Sequence, residues 1–308
     1  MLVLGADRFV TGAAATARNF GVAPLIIGLV IVGFGTSAPE MLVSAVASWQ
    51  GSPGLAIGNA LGSNITNIAL VLGTTALISP LTVHSDMLRR ELPVLLVIML
   101  LALALMLDGD LSRNDGLILI TGLVILIYWI VRLGLRTRRS DPIASELEAE
   151  IPQAMSTGKG IFWLVVGLII LLVSSRALVW GAVNVAMALG VSDQVIGLSI
   201  VAVGTSLPEL AAAIMSALKR EYDIAIGNVI GSNMFNLLGV LAMPGLIAPG
   251  VFGEETLRRD FPLMIALTLA LYLMATGFGG DGKINRIEGG ILVAVFTGYM
   301  VFLYHSPG

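Results

Sequence analysis

The hexapeptide GTSAPE at residues 35–40 returns as GTSLPE at residues 204–209, 169 positions later. At the same offset, GNALGSNITN at residues 58–67 returns as GNVIGSNMFN at residues 227–236. The repetition is strongest where the chain is most polar, although both elements lie inside apolar stretches. Packing alone does not explain why a duplication keeps Glu, Ser, Thr and Asn in such surroundings. The repeats therefore indicate two equivalent polar half-sites within one structure.

The composition is that of a membrane protein. Of the 308 residues, 56% are hydrophobic and 12% are charged, and the mean hydropathy is +0.94. Soluble domains carry about twice that charged fraction. Apolar stretches near the ~20 residues that cross a bilayer recur along the whole length, which disfavours a soluble all-α domain. The absence of cysteine excludes disulfides, thiolate metal sites and cysteine nucleophiles.

Hydropathy divides the chain into ten apolar segments, five on each side of a polar connector. Because five is odd, the second half must insert upside down relative to the first. We therefore predict an all-α, polytopic membrane fold of two inverted five-helix repeats, residues 1–134 and 159–308, joined by residues 135–158. The segments are residues 1–20, 24–50, 55–79, 91–108, 115–134, 160–189, 194–218, 224–249, 261–279 and 287–304.

The distribution of Lys and Arg predicts the orientation of the chain. With both termini outside, the inner loops carry most of these residues and the outer loops carry mainly three arginines. The positive-inside rule then places the connector in the cytoplasm. Since Met1 aligns with Ile170, residues 160–169 have no counterpart, and we expect a short first helix with part of the natural N-terminus missing.

Glu40 and Glu209 are the two acids that cannot be placed in a loop or near a segment end. A carboxylate in hydrocarbon is costly, so an intramembrane acid is expected to face a cavity and meet a cation. A protonated, hydrogen-bonded structural glutamate is the alternative for a single position. The recurrence of the glutamate at the same place in a second copy of the six-residue motif favours ion binding.

Each of these glutamates follows a proline inside an apolar segment. The ring removes one backbone hydrogen bond and frees carbonyls one turn earlier, near Gly35 and Thr36 and near Gly204 and Thr205. Unwound backbone is tolerated at membrane depth only where it is buried in protein or lines a water-filled cavity. We therefore predict helices broken at the midplane, with hard oxygen ligands that suit Na⁺, Ca²⁺ or Mg²⁺. A simple packing kink is the alternative, which the adjoining glutamates disfavour.

The second repeated element supplies further oxygens. Ser63 and Asn67 lie four residues apart, so both can face one cavity from one side of a helix. Gly58 and Gly62 form a small-residue face that allows close helix approach. Asn59 lies off the face of Ser63 and Asn67, so we expect it to support the broken helix or to pack against its neighbour, and for Asn64, Asn228 and Asn233 a structural role and ion binding both remain open.

Together the two elements resemble the alpha-repeats of the cation/calcium exchanger superfamily, specifically its prokaryotic sodium/calcium exchangers. The resemblance covers essentially the whole chain, with alpha-repeats near residues 24–79 and 193–249. It implies a secondary antiporter of the prokaryotic inner membrane that exchanges Ca²⁺ for Na⁺ by alternating access, with no enzymatic reaction and no cofactor. It also implies that the first helix of each repeat, residues 1–20 and 160–189, slides past a bundle that holds the site.

By position, the resemblance implies a central calcium site with flanking sodium sites. Some family members carry Asp where this chain has Asn236, so here the central fixed charge comes from the two glutamates alone. That charge balances one Ca²⁺ and leaves the sodium stoichiometry open. The implied ligands are the side chains of Glu40, Glu209, Asn67, Asn236, Ser37, Ser206, Ser63 and Ser232 and the carbonyls of Thr36, Thr205, Gly33 and Ala202.

Other functions remain as alternatives. Proton-coupled relatives usually have a Gly-Asn-x-x-Glu pattern where this chain has Gly62 and Gly231, so we favour Na⁺ over H⁺. A passive cation channel could use the paired glutamates as a filter. An intramembrane hydrolase would need a base beside a serine, yet His84 lies near a segment end and His305 near the C-terminus. We expect Ca²⁺, Na⁺ and the lipid bilayer as partners, with no nucleic acid and no obligate protein partner.

Overall fold

The structure is a computed structural model that describes residues 1–21, 27–83, 88–137, 155–188, 202–276 and 282–305. Several features of the sequence prediction fall wholly or partly outside these ranges. They are most of the connector, His84, the first part of the segment predicted at residues 194–218, and the ends of the segments predicted at residues 24–50, 160–189 and 261–279.

Helices make up nearly all of the described chain, which confirms the predicted all-α class. The first half contains α1 (Leu2–Phe20), the π-helical turn π1 (Ile27–Val32), α2 (Gly33–Trp49), α3 (Pro53–Thr66), π2 (Asn67–Leu72), α4 (Gly73–Ile78), α5 (Leu88–Met106) and α6 (Arg113–Thr137). The second half contains α7 (Thr157–Ala188), α8 (Ala202–Thr205), α9 (Leu207–Leu218), α10 (Tyr222–Phe235), π3 (Asn236–Val240), α11 (Ala242–Ile247), π4 (Thr256–Asp260), α12 (Phe261–Thr276) and α13 (Arg286–His305). Four short strands lie between helices: β1 (Leu81–Val83), β2 (Asp110–Leu111), β3 (Gly250–Val251) and β4 (Gly282–Ile284).

Within the described residues, six helical stretches are long and apolar enough to cross a membrane. They are Gly28–Trp49, Pro53–Ile78, Arg113–Arg132, Thr157–Ser174, Tyr222–Ile247 and Arg286–Leu303. Within Tyr222–Ile247, every residue from 224 to 242 is buried inside the protein, whereas only 17% of Arg286–Leu303 is buried. Since a helix that is apolar on all sides packs in a core or faces lipid, α10 and α11 form the centre of the bundle and α13 its periphery.

The first helices of the two repeats, α1 and α7, pack against each other through glycines. Gly5 faces the backbone of Leu171 and Gly12 faces that of Leu164, so the two helices run antiparallel. A Cβ on Gly167 would lie 2.3 Å from the backbone nitrogen of Phe9. Small residues allow such close approach in membrane bundles. The two segments that the resemblance implied to be mobile therefore form one closely packed pair.

The strands link the repeats to each other at two places. β1 pairs antiparallel with β4, and β2 pairs antiparallel with β3. Strands β1 and β3 start at positions 169 residues apart and are therefore equivalent in the two repeats. They do not pair with each other, so each two-stranded sheet joins a loop of one repeat to a non-equivalent loop of the other. In a chain of ten crossings, the loops that carry β1 and β4 share one membrane face, and those that carry β2 and β3 share the opposite face.

The helix directions also agree with inverted repeats. Gly28 faces Ile224 and Gly33 faces Ser232, so the stretch formed by π1 and α2 runs parallel to α10. These are the second crossing of the first repeat and the third crossing of the second repeat. Successive crossings alternate in direction, so these two would be antiparallel if both repeats inserted the same way up. Inversion of one repeat makes them parallel.

Gly167→Ala is expected to force α1 away from α7 and to lower the melting temperature of the detergent-solubilised protein. The added methyl group would meet the Phe9 backbone, which cannot rotate away, and overpacking of this kind costs about 1–3 kcal/mol. Gly298→Ala on α13 is the control, since this glycine is exposed and its added Cβ would meet no described atom within 4 Å. Equal melting temperatures for the two variants would contradict the packing of α1 on α7.

Candidate functional site

The two glutamates of the sequence motifs are buried at the centre of the bundle. Glu40 on α2 and Glu209 on α9 are each 1% exposed. Thr36, one turn before Glu40, lies 3.3 Å from Oδ1 of Asn228, and Nδ2 of Asn228 lies 3.3 Å from the carbonyl oxygen of Glu209. Residues 169 positions apart in the sequence are thus brought to one place.

In the second repeat, the motif breaks its helix as the proline predicted. Helix α8 ends at Thr205, and Ser206 has non-helical backbone angles of φ −90° and ψ 6°. Pro208 then lies in the first turn of α9, where its missing N–H costs no hydrogen bond. Glu209 also lies in that first turn, where the helix dipole and the free N–H groups favour negative charge.

In the first repeat, the motif takes a different form from the prediction. Helix α2 continues from Gly33 to Trp49 with Pro39 inside it, so the expected break near Gly35 and Thr36 is absent from this described helix. The irregular part lies one turn earlier, in π1. A π-helical turn accommodates irregular hydrogen bonding without ending the helix. The two motifs are therefore equivalent in sequence and different in backbone.

The second repeated element contains a π-helical turn at the same place in both repeats. Turn π2 begins at Asn67, where α3 ends, and π3 begins at Asn236, where α10 ends. The carbonyl oxygen of Asn236 accepts the N–H of Leu241, five residues later, at 2.9 Å. Such turns are rare and occur frequently at functional sites. The sequence analysis missed both turns because no residue type marks a π-helical turn.

Side chains of the two repeats bond to each other across the centre. The Thr36 hydroxyl lies 3.3 Å from the Ser232 hydroxyl and 3.3 Å from Oδ1 of Asn228, and it also faces the Val32 carbonyl of its own repeat at 3.0 Å. Asn67 donates through Nδ2 to Oδ1 of Asn233 at 3.1 Å. Apart from the contact with Val32, each of these pairs contains one residue of each repeat. The predicted half-sites therefore meet in one polar cluster.

Many oxygens of this cluster have no hydrogen-bond partner. Within the described part of the chain, seven buried side-chain oxygens of the predicted ligands are unpaired: Oγ of Ser37 and Ser206, Oδ1 of Asn67 and Asn236, both carboxylate oxygens of Glu40, and Oε2 of Glu209. Buried polar atoms are nearly always satisfied in native proteins, and each exception requires an explanation. Carboxylate, amide and hydroxyl oxygens are the ligands of hard cations, so this donor set fits a bound cation.

The other predicted ligands lie around these oxygens with different degrees of burial. Ser63 and Ser232 are buried, and Thr205 is half-buried at the end of α8. Ala202 begins α8. The carbonyl oxygen of Gly33 accepts hydrogen bonds from the hydroxyls of Thr36 at 3.3 Å and Ser232 at 3.4 Å. That carbonyl therefore already has two protein partners in this structure.

Two further buried acids were placed only near segment ends by the sequence analysis. Glu91 is 0% exposed and Asp260 is 8% exposed, and they are equivalent at the offset of 169. Asp260 bonds to Arg259 at 2.7 Å and accepts the hydroxyl of Tyr299 at 2.9 Å. The offset itself was the signal, since the stretch LRRELP at residues 88–93 returns as LRRDFP at residues 257–262.

Comparisons with known proteins agree with this arrangement. The family described as sodium/calcium exchanger protein matches residues 1–137 and 159–305. CaxA of Alkalimonas amylolytica is 48% identical over 99% of this chain and 96% of its own length. The sodium/calcium exchanger MaX1 of Methanosarcina acetivorans is 33% identical over 99% of this chain and 95% of its own length.

A solved structure of the sodium-calcium exchanger NCX_Mj has a similar fold. The two superpose with a TM-score of 0.83 at 35% sequence identity, over 100% of this chain and 95% of NCX_Mj. The family match covers nearly all of the sequence, and the shared fold includes both repeats. The chain belongs to the sodium/calcium exchanger family of membrane transporters.

Proposed function

We propose that this protein exchanges Ca²⁺ for Na⁺ across the membrane and that both ions bind at the cluster around Glu40 and Glu209. The observation that carries the proposal is the set of seven unpaired buried oxygens contributed by both repeats. The names of MaX1 and NCX_Mj, which are sodium/calcium exchangers, support the same choice of ions.

The charge of the site matches a divalent cation. Two carboxylates balance one Ca²⁺, with Asn67 and Asn236 as neutral oxygen donors. Sodium ions would use the same carboxylates together with the serine hydroxyls and the backbone carbonyls of the motifs. Because the two kinds of ion share ligands, each must displace the other. The proposed ligands are Glu40, Glu209, Thr36, Thr205, Ser37, Ser206, Asn67, Asn236, Ser63, Ser232, Gly33 and Ala202.

Exchange follows from the cost of burying charge. An ion-loaded site is close to neutral, and the protein can switch between states that open to opposite sides of the membrane. An empty site would carry two unpaired carboxylates through a low-dielectric interior, which is expensive. The empty transporter therefore resists switching, and ions cross only in exchange. In this mechanism α1 and α7, which pack together, move as a pair against the bundle that carries the site.

The proposed orientation places both termini outside and the connector in the cytoplasm of a prokaryotic inner membrane. The pairing of β1 with β4 then lies at the inner face and that of β2 with β3 at the outer face. The site uses protein oxygens alone, so the transported Ca²⁺ and Na⁺ are substrates and no cofactor is proposed. The lipid bilayer is the remaining partner, and one chain contains the whole proposed site.

A proton-driven exchanger is the second candidate. It would use the same fold and the same glutamates as proton carriers. The residues at the positions where proton-coupled relatives usually have Glu are Gly62 and Gly231, and a glycine cannot carry a proton. This difference favours Na⁺ as the counter-ion.

Calcium uptake into proteoliposomes tests the counter-ion directly. Vesicles loaded with Na⁺ and diluted into Na⁺-free buffer at equal pH on both sides are expected to accumulate ⁴⁵Ca²⁺, and vesicles without the Na⁺ gradient are not. Uptake that follows an imposed pH gradient and ignores Na⁺ would show proton coupling. A calcium current that needs neither a Na⁺ gradient nor a pH gradient would show a channel.

Neutralising either glutamate is expected to abolish this uptake. Glu40→Gln and Glu209→Gln each remove half of the fixed charge, and calcium affinity depends steeply on ligand charge, so uptake at micromolar Ca²⁺ should fall by about 100-fold or more. Glu254→Gln is the control, because this glutamate is exposed and pairs with Arg258 at the surface. Normal uptake by folded Glu40→Gln protein would remove Glu40 from the site.

A further inference from the structure

Two asparagines hold the backbone of the two site glutamates. Asn59 donates through Nδ2 to the carbonyl oxygen of Glu40 at 3.3 Å, and Asn228 donates through Nδ2 to the carbonyl oxygen of Glu209 at 3.3 Å. The two bonds are equivalent at the offset of 169. They connect the helix that carries a glutamate to the next helix of the same repeat.

These bonds fix the distance between ligands on neighbouring helices. Helix α10 contains Asn228 and, one turn later, Ser232, and it ends where Asn236 begins π3. The bond from Asn228 to the carbonyl oxygen of Glu209 therefore fixes the first turn of α9, which carries the carboxylate, relative to the ligands on α10. Asn59 does the same for Glu40 and the ligands of α3. A calcium site needs such support because its affinity depends on the rigidity of the oxygen cage.

Asn228 also bonds to the other repeat. Its Oδ1 lies within hydrogen-bonding distance of the Thr36 hydroxyl at 3.3 Å, an O–H that also faces the Val32 carbonyl at 3.0 Å, while its Nδ2 donates to the Glu209 carbonyl. The side chain is 0% exposed, so water does not compete for either bond. One amide group thus joins a ligand residue of the first repeat to the glutamate of the second.

We propose that Asn59 and Asn228 are positioning residues of the ion site and that Asn228 couples its two halves. The inference rests on the proposed ion site at Glu40 and Glu209. Neither asparagine belongs to the proposed set of ion ligands. Each acts through the backbone of a glutamate, and Asn228 transmits a displacement of Thr36 to Glu209.

Alanine variants with a matched control test the positioning role. Asn228→Ala and Asn59→Ala are each expected to raise the KM for Ca²⁺ by about tenfold, as loss of a buried hydrogen bond allows, while kcat changes less than about twofold. Thr268→Ala on α12 is the control, because Thr268 is as buried as Asn228, its hydroxyl donates to the carbonyl oxygen of Met264 at 2.9 Å, and it is none of the proposed ligands. It is expected to lower the melting temperature of ion-free protein and to leave KM unchanged.

A second readout separates positioning from general stability. Ca²⁺ should raise the melting temperature of the wild type and of Thr268→Ala by the same amount, and should raise that of Asn228→Ala much less. If Asn228→Ala does not fold, the half-buried Asn59 provides the same test through Asn59→Ala. Unchanged KM and unchanged Ca²⁺-induced stabilisation in a folded Asn variant overturn the proposal. A wild type that neither binds nor transports Ca²⁺ overturns the proposed function as well.

A double-mutant cycle tests the coupling. Thr36→Val removes the hydroxyl that bonds to Asn228 and keeps the Thr36 position filled. Because both single changes break the same bond, the rise in KM for Thr36→Val with Asn228→Ala is expected to be several-fold smaller than the product of the single effects. Thr36→Val with Thr268→Ala is the reference pair and should be multiplicative. Multiplicative effects in both cycles would contradict coupling through Asn228.

Discussion

The structure depends on the burial of two carboxylates, Glu40 and Glu209, at the contact between the two repeats. Each is 1% exposed, and three of their four oxygens have no protein partner. Such a pair is unfavourable unless a cation neutralises it. The features around them agree with this requirement: further buried serine and asparagine oxygens without partners, and irregular helix turns beside them.

Inverted repeats explain why the two glutamates meet. The parallel packing of α10 beside π1 and α2 places the second element of one repeat against the motif of the other. Gly231 permits this approach, since a Cβ there would lie 2.3 Å from the carbonyl oxygen of Leu29. Each strand pair, and the pair of α1 and α7, likewise combines one element of the first repeat with one element of the second. Each repeat therefore supplies only part of the oxygens of the proposed ion site.

The sequence predicted the features that repeat, and it missed the features that depend on contacts between helices. Most helix bounds within the described residues and the burial of Glu40 and Glu209 followed from hydropathy and the offset. The irregular backbone expected near Gly204 and Thr205 lies at Ser206, directly after them. The uninterrupted α2 around Pro39 did not follow, because a proline favours a break and the chain resolves the irregularity in π1 instead. A supporting role for Asn59 was expected from its position on the helix, but the sequence does not show that its partner is the carbonyl oxygen of Glu40 or that Asn228 bonds to Glu209. The counter-ion and the ligand set stay predictions.

The number of calcium ions bound per chain tests most directly whether the two half-sites form one site. Equilibrium dialysis of purified protein with ⁴⁵Ca²⁺ in Na⁺-free buffer would give this number, and added Na⁺ would show whether the sites are shared. The account predicts one Ca²⁺ per chain, displaced competitively by Na⁺. Two independent Ca²⁺ ions per chain, or one that Na⁺ does not displace, would contradict a single site shared by Glu40 and Glu209.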